Sequence, residues 1–173
     1  GMAVGGSGAG AARSVRGFDG STVTVAGYGI KSQLPTAETG AQARIKRFND
    51  TNEIPGIKIE YTEMVDDKGD PAISLTESRR LVESVGIFAI VGDVSQSNPT
   101  YLAEQHVPYF GWAFDNTYCS DSTKPNTGIY GFGFNGCLVP SAPKVMPNNG
   151  VASYKYVSGK TGNKKPTLLI FGT

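Results

Sequence analysis

Ser95-Gln96-Ser97, followed by Asn98 and Pro99, is the stretch of this chain with the most concentrated binding chemistry. It follows five apolar residues (87–91, Ile-Phe-Ala-Ile-Val) that do not alternate with polar ones. Such a run reads as a strand buried on both faces, the mark of a parallel sheet. Gly92 is expected to end that strand. Pro99 suits a first helical turn with Asn98 or Ser97 as N-cap, and residues 100–106 continue as helix. Backbone N–H groups at a helix start lack intrahelical partners, so strand, polar turn and helix start together offer donors to an anion. The plainer reading is an ordinary strand-to-helix loop with good capping residues.

Trp112-Ala113-Phe114, after the next short apolar run, is the second candidate. Large aromatics beyond the carboxyl end of a strand either cap the core or line a pocket. Beside the turn at 95–98 the pocket is the better reading. Other constellations carry less. Asp66, Asp67 and Asp93 stand near strand ends, where turn chemistry explains them, and the lysine that an acidic phosphoacceptor pocket requires is missing. Gly27-Tyr28-Gly29 lacks the third glycine of a dinucleotide fingerprint. The lone His106 has no cysteine or serine at a catalytic spacing and reads as a surface or satisfied histidine. With one histidine and no Cys-x-x-Cys pair, a zinc site lacks ligands, and no cofactor or metal is expected. Cys119 and Cys137 bracket one polar loop. They form a disulfide if the protein is exported, and are reduced, buried thiols in a cytosolic protein.

The elements that would position these residues alternate along the chain. Residues 21–30 read as a strand, 36–51 as a helix with Ala37, Ala41, Ile45 and Phe48 inward, and 57–65 as a second strand. Asp70 caps a helix over 71–85 whose inner stripe is Leu75, Val82 and Val85. Strands are expected at 107–112 and 128–134, the latter with Tyr130, Phe132 and Phe134 on one face and glycines on the other. This order implies an α/β fold with a doubly wound, mostly parallel sheet. Residues 1–20, rich in Gly, Ala and Ser, read as a flexible leader whose Gly1-Met2 is a cloning remnant. Residues 21–138 form the α/β lobe, and the prolines of 139–147 mark a crossover linker. Residues 148–173 begin a second lobe, with a short helix at 151–158 and a buried strand at 167–171. A chain that stops on a core strand reads as a fragment.

Bulk composition narrows the partners. A net charge of +1 without a basic run gives no reason to expect nucleic acid or an anionic membrane surface. No apolar run approaches the roughly 20 residues needed to span a bilayer. Membrane association would come only through an N-terminal anchor tethered by the leader.

Several pieces in order resemble the N-terminal lobe of the type I periplasmic-binding proteins, in the branched-chain amino-acid receptor family of ABC importers. These are the first strand with its 29–35 loop, the helix ending Arg47-Phe48-Asn49-Asp50-Thr51-Asn52, Pro55-Gly56 with the strand after it, and Asp66-Asp67 with Asp70-Pro71. Phe88-Ala89-Ile90-Val91-Gly92 with its serine turn, and Val107-Pro108-Tyr109-Phe110, complete the set. The resemblance implies a non-catalytic extracytoplasmic receptor, periplasmic or lipid-anchored at the cell surface. It would clamp a small amino-acid-like ligand between two lobes and deliver it to an ABC permease. Carried over residue by residue, it places Ser95, Gln96 and Ser97, then Trp112, Ala113 and Phe114, and finally Gln33 and Leu34 against the ligand. Where the family has Ser-Ser or Ser-Thr and small residues, this chain has Ser-Gln-Ser and bulky Trp and Phe, which implies an aromatic or modified ligand. Two alternatives stay open: a ligand-sensing domain of a receptor or amide-responsive regulator, and an enzyme on a flavodoxin-like sheet.

Overall fold

Parallel strands need crossovers of about a dozen residues or more, usually helices that pack over the sheet they connect, so the alternation above leaves few topologies open. A computed structural model describes residues 14–97, 100–120, 126, 128–137 and 149–162 of the chain. Five strands form one parallel sheet: β1 (Thr22–Gly29), β2 (Lys58–Asp66), β3 (Ala89–Val94), β4 (Tyr109–Gly111) and β5 (Gly131–Gly133), in the order β2-β1-β3-β4-β5. The chain winds outward in both directions from β1, so the expected doubly wound sheet is present, and its switch point lies between β1 and β3. Among the described residues of this unit, the α-helices are α1 (Ala37–Thr51), α2 (Pro71–Arg79) and α3 (Thr100–Glu104). The chain divides into two units, Gly1–Ser141 and Ala142–Thr173; in the second, the described element is α4 (Asn149–Thr161).

Each face of the sheet has its own apolar cluster. On one side Ile45 of α1 packs on Val25 and Ala89, with Val23, Ile59, Phe88 and Val91 at the margin. On the other, Ala26, Tyr28, Ile90 and Tyr109 pack with Leu81, Val82, Leu102 and Val107. The α1 side is incompletely covered over β4 and β5, where Phe110, Phe132 and Phe134 remain exposed, Phe134 at 69%.

Four local expectations differ from the structure. Gly92 does not end β3. It is the extra residue of a bulge against both β1 and β4, with φ +82°, and the strand resumes to Val94. The bulge turns Asp93 toward the α2/α3 side, where Tyr118 donates to it. The inner face of α2 is polar: Ser74 and Ser78 are buried, and Tyr28 Oη lies 2.6 and 2.9 Å from their hydroxyls. Leu75 lies outside that core, because the helix passes into a π-helical segment, Arg80–Val85, that re-phases it and delivers Leu81 and Val82 inward. Tyr130 precedes β5 and leaves the phenylalanine face, stacking on His106 at 5.2 Å. Residues 14–20 are no flexible leader: Gly17 O accepts from Thr24 N, and Arg16 donates to the carbonyls of Ile87 and Gln105. The Asn98 and Pro99 capping expectation, the 139–147 linker and the 167–171 strand lie outside the described residues.

Candidate functional site at the carboxyl ends of the strands

The loops after β1, β3 and β4 converge beyond the carboxyl edge of the sheet, the place where open α/β sheets bind ligands. Gln96 and Gln33 meet across the switch point, with Gln96 Nε2 donating to Gln33 Oε1 at 2.7 Å. Gln96, Ser97 and Phe114 line a cavity of about 660 Å³. Its far wall is a run on α2 (Pro71, Leu75, Arg79), and its floor is α3 with Thr100, Tyr101 and Glu104. The lining therefore mixes one cation, two carboxylates (Glu104 and Asp115), amide and hydroxyl groups, and apolar surface, the composition of a site for a small polar molecule.

Sequence reasoning missed the α2 and α3 walls, although the signal was there: 71, 75, 79 and 97, 100, 101, 104 are helical repeats of one face each. The same periodicity points Leu75 toward the core, and the structure puts it on the cavity wall instead. On the cavity wall the Arg79 guanidinium lies 5.6 Å from the centre of the Tyr101 ring. The Tyr101 hydroxyl donates to Glu83, and partial burial with that acceptor raises its pKa.

The structure separates the other expected site residues. Ser95 is 1% exposed; its N–H donates to Asp93 Oδ1 at 2.9 Å and its hydroxyl donates to Asp67 Oδ2. Ser97 N donates in turn to Ser95 Oγ at 3.0 Å. Three of the donors expected to face an anion are thus engaged inside the fold: Asp93 and Asp67 take the two of Ser95, and Ser95 Oγ takes Ser97 N. Ala113 is buried with φ +61°, its methyl directed at Gly133. Trp112, 40% exposed, stacks on Phe114 at 5.5 Å but lines a different groove, with Ala37, Gly40 and Phe134. Leu34 is half-buried and outside the cavity lining. Cys119 and Cys137 are joined as a disulfide across the loop that follows this site. A closed loop of that size contributes about 3 kcal/mol in the chain-entropy account.

Asp93 ties the converging loops together. Its carboxylate accepts from Ser95 N and from Tyr118 Oη (2.7 Å), and its carbonyl accepts from Trp112 N (3.1 Å). Burial, then the Asp93 charge, pushes the Tyr118 hydroxyl far above its ordinary pKa, so the phenol stays a donor.

A family described as Periplasmic binding protein matches residues 20–154. The chain belongs to the type I periplasmic-binding-protein family. Solved structures of similar fold include the branched-chain amino acid transporter substrate binding protein LivJ from Streptococcus pneumoniae, in complex with isoleucine. It shares 17% identity at a TM-score of 0.56, over 82% of this chain and 39% of that one. Two extracellular ligand-binding receptors from Rhodopseudomonas palustris align at TM-scores of 0.56 and 0.54. They share 16% and 20% identity over 81% of this chain and 36% of theirs. No curated protein matches the chain. The chain spans 36 to 39% of the length of these three solved structures. It is similar to the N-terminal lobe of a type I periplasmic binding protein. The family is one of solute-binding proteins. Among the described residues, no helix is long and apolar enough to cross a membrane.

Proposed function

We propose that this chain is the N-terminal lobe of an extracytoplasmic receptor that binds an amino-acid-like solute and hands it to an ABC permease, without catalysis. The observation that carries the reading is the cavity beyond the carboxyl ends of β3 and β4, which brings Gln96 and Ser97 together with Phe114. The Gln96 amide, the Ser97 hydroxyl and the Arg79 guanidinium would meet the carboxylate. Glu104 or Asp115 would meet the ammonium group, since a zwitterion leaves water at tolerable cost only when both charges find partners. Phe114, backed by Trp112, supplies an apolar wall that favours an aromatic or extended side chain over a short aliphatic one. A second lobe closing over this one would complete the burial, as in other hinged binding proteins. The Cys119–Cys137 disulfide supports an extracytoplasmic, oxidising location, at the periplasm or on a cell-surface anchor.

NMR titration of the isotopically labelled chain with each of the common amino acids tests this, because chemical shifts register binding even at millimolar Kd. The expected result is movement of the Gln96, Ser97 and Thr100 amides with at least one amino acid, strongest for an aromatic one. The Gln96→Ala variant should lose that response. A folded chain whose cavity residues move with none of them refutes the proposal.

A further inference from the structure

Asp67 belongs to the loop after β2, two strands away from β3, yet it is fully buried and meets the site turn. Its two carboxylate oxygens face different partners. Oδ1 accepts from Gly69 N at 2.9 Å, which closes the local turn, and Oδ2 accepts the Ser95 hydroxyl proton. A hydroxyl has one proton to give, so committing it to Asp67 leaves the Ser95 oxygen as an acceptor, and Ser97 N donates to it at 3.0 Å. The carbonyl of the same residue is held from the opposite side, where Ser74 Oγ of α2 donates to Ser97 O at 2.6 Å. Residue 97 is therefore gripped at both its N–H and its carbonyl. The passage between Asp67 and Ser95 stays open because β1 ends in Gly29, whose backbone (φ +130°) lies flush against Val94 and Ser95.

We propose that Asp67 is a positioning residue of the binding site: through the Ser95 hydroxyl, its buried carboxylate fixes the orientation in which Gln96 and Ser97 meet a ligand. The proposal rests on the reading of the 95–97 turn as ligand-facing. The turn at 67–69 does not itself need a carboxylate, since an asparagine oxygen would accept from Gly69 equally well. What asparagine cannot do in that pose is accept from Ser95. Its NH2 would point at the serine oxygen, reverse the direction of donation and leave the serine proton without an acceptor.

The test compares Asp67→Asn, Ser95→Ala and Ser95→Thr in the whole chain, by amide hydrogen exchange and by the amino-acid titration described above. Asp67→Asn and Ser95→Ala are expected to speed exchange of the Ser97 amide about tenfold, the loss of one hydrogen bond. They should also raise the titration midpoint of the best amino acid by a similar factor, while the Ile90 amide in β3 exchanges as in the native chain. Ser95→Thr keeps the hydroxyl and should restore both readouts. Unchanged Ser97 exchange in Asp67→Asn and Ser95→Ala overturns the proposal. So does acceleration shared equally by Ile90, which would mean a general loss of stability. If Ser97 exchange responds as expected but no amino acid moves the cavity amides in the native chain, the hold of Asp67 on the turn stands and the functional reading fails.

Discussion

Replacing Tyr118 by Phe removes one atom and isolates the bond that joins the loop after β4 to the centre of the sheet. The ring keeps its place, including the edge contact with Tyr109 at 5.0 Å between centroids. Only the hydroxyl is lost, and with it a 2.7 Å hydrogen bond to the carboxylate of Asp93, a residue 1% exposed. Hydrogen bonds to charged groups contribute about 1.5–3 kcal/mol, against about 1 kcal/mol between neutral partners. The neighbouring Tyr109 supplies the internal comparison, because its hydroxyl donates at the same 2.7 Å to a neutral acceptor, the Thr117 carbonyl, and its side chain is likewise buried. Tyr118→Phe should therefore cost about 2 kcal/mol and Tyr109→Phe about half that, by urea denaturation with both m-values unchanged. For a chain of this size the first corresponds to a fall in Tm of about 4–8 °C. Equal costs for the two variants would refute the reasoning, since they would mean that the Asp93 charge adds nothing to the bond.

Two further predictions concern backbone space and pH. At Gly29 an added Cβ would lie 2.4 Å from Ser95 N and 2.4 Å from Val94 C, at φ +130°, so Gly29→Ala should cost about 3 kcal/mol or more. Gly40→Ala in α1 meets open space and should stabilise by about 0.5–1 kcal/mol; both are read from urea midpoints. Burial raises the hydroxyl pKa values of Tyr28, Tyr109 and Tyr118 above the ordinary value of 10.0, and lifts Tyr61 to about 12. A pKa raised on folding stabilises the native state fully below the unfolded pKa and ceases to as pH rises, so alkali above about pH 10 should unfold the chain. In a spectrophotometric titration Tyr28, Tyr109 and Tyr118, three of the eight tyrosines, should ionise only together with the loss of circular dichroism; reversible phenolate formation by them in the intact fold would contradict this.

The sequence by itself settled the elements and their order. Local apolar runs and helical repeats are written in short stretches of chain: Ile45 and Phe48 at one face of α1, and Asp70 accepting from Ala72 N and Ile73 N at the start of α2. From that alternation the parallel, doubly wound sheet followed, because few topologies are open to it. The sequence also named Gln96, Ser97 and Phe114, which meet at one cavity. Only the tertiary structure decided which way each residue of the turn faces. The bulge at Gly92 swung Asp93 inward, and Asp67, 28 positions from Ser95, accepted the hydrogen bond of that serine's hydroxyl. Both are long-range events, set by register between strands and by which acceptor lies within about 3 Å, and no local pattern of residue types records either. The serine turn could be found from its composition. That the Ser95 hydroxyl and the N–H groups of Ser95 and Ser97 are engaged within the fold could be learned only from the aspartates folded in behind the turn.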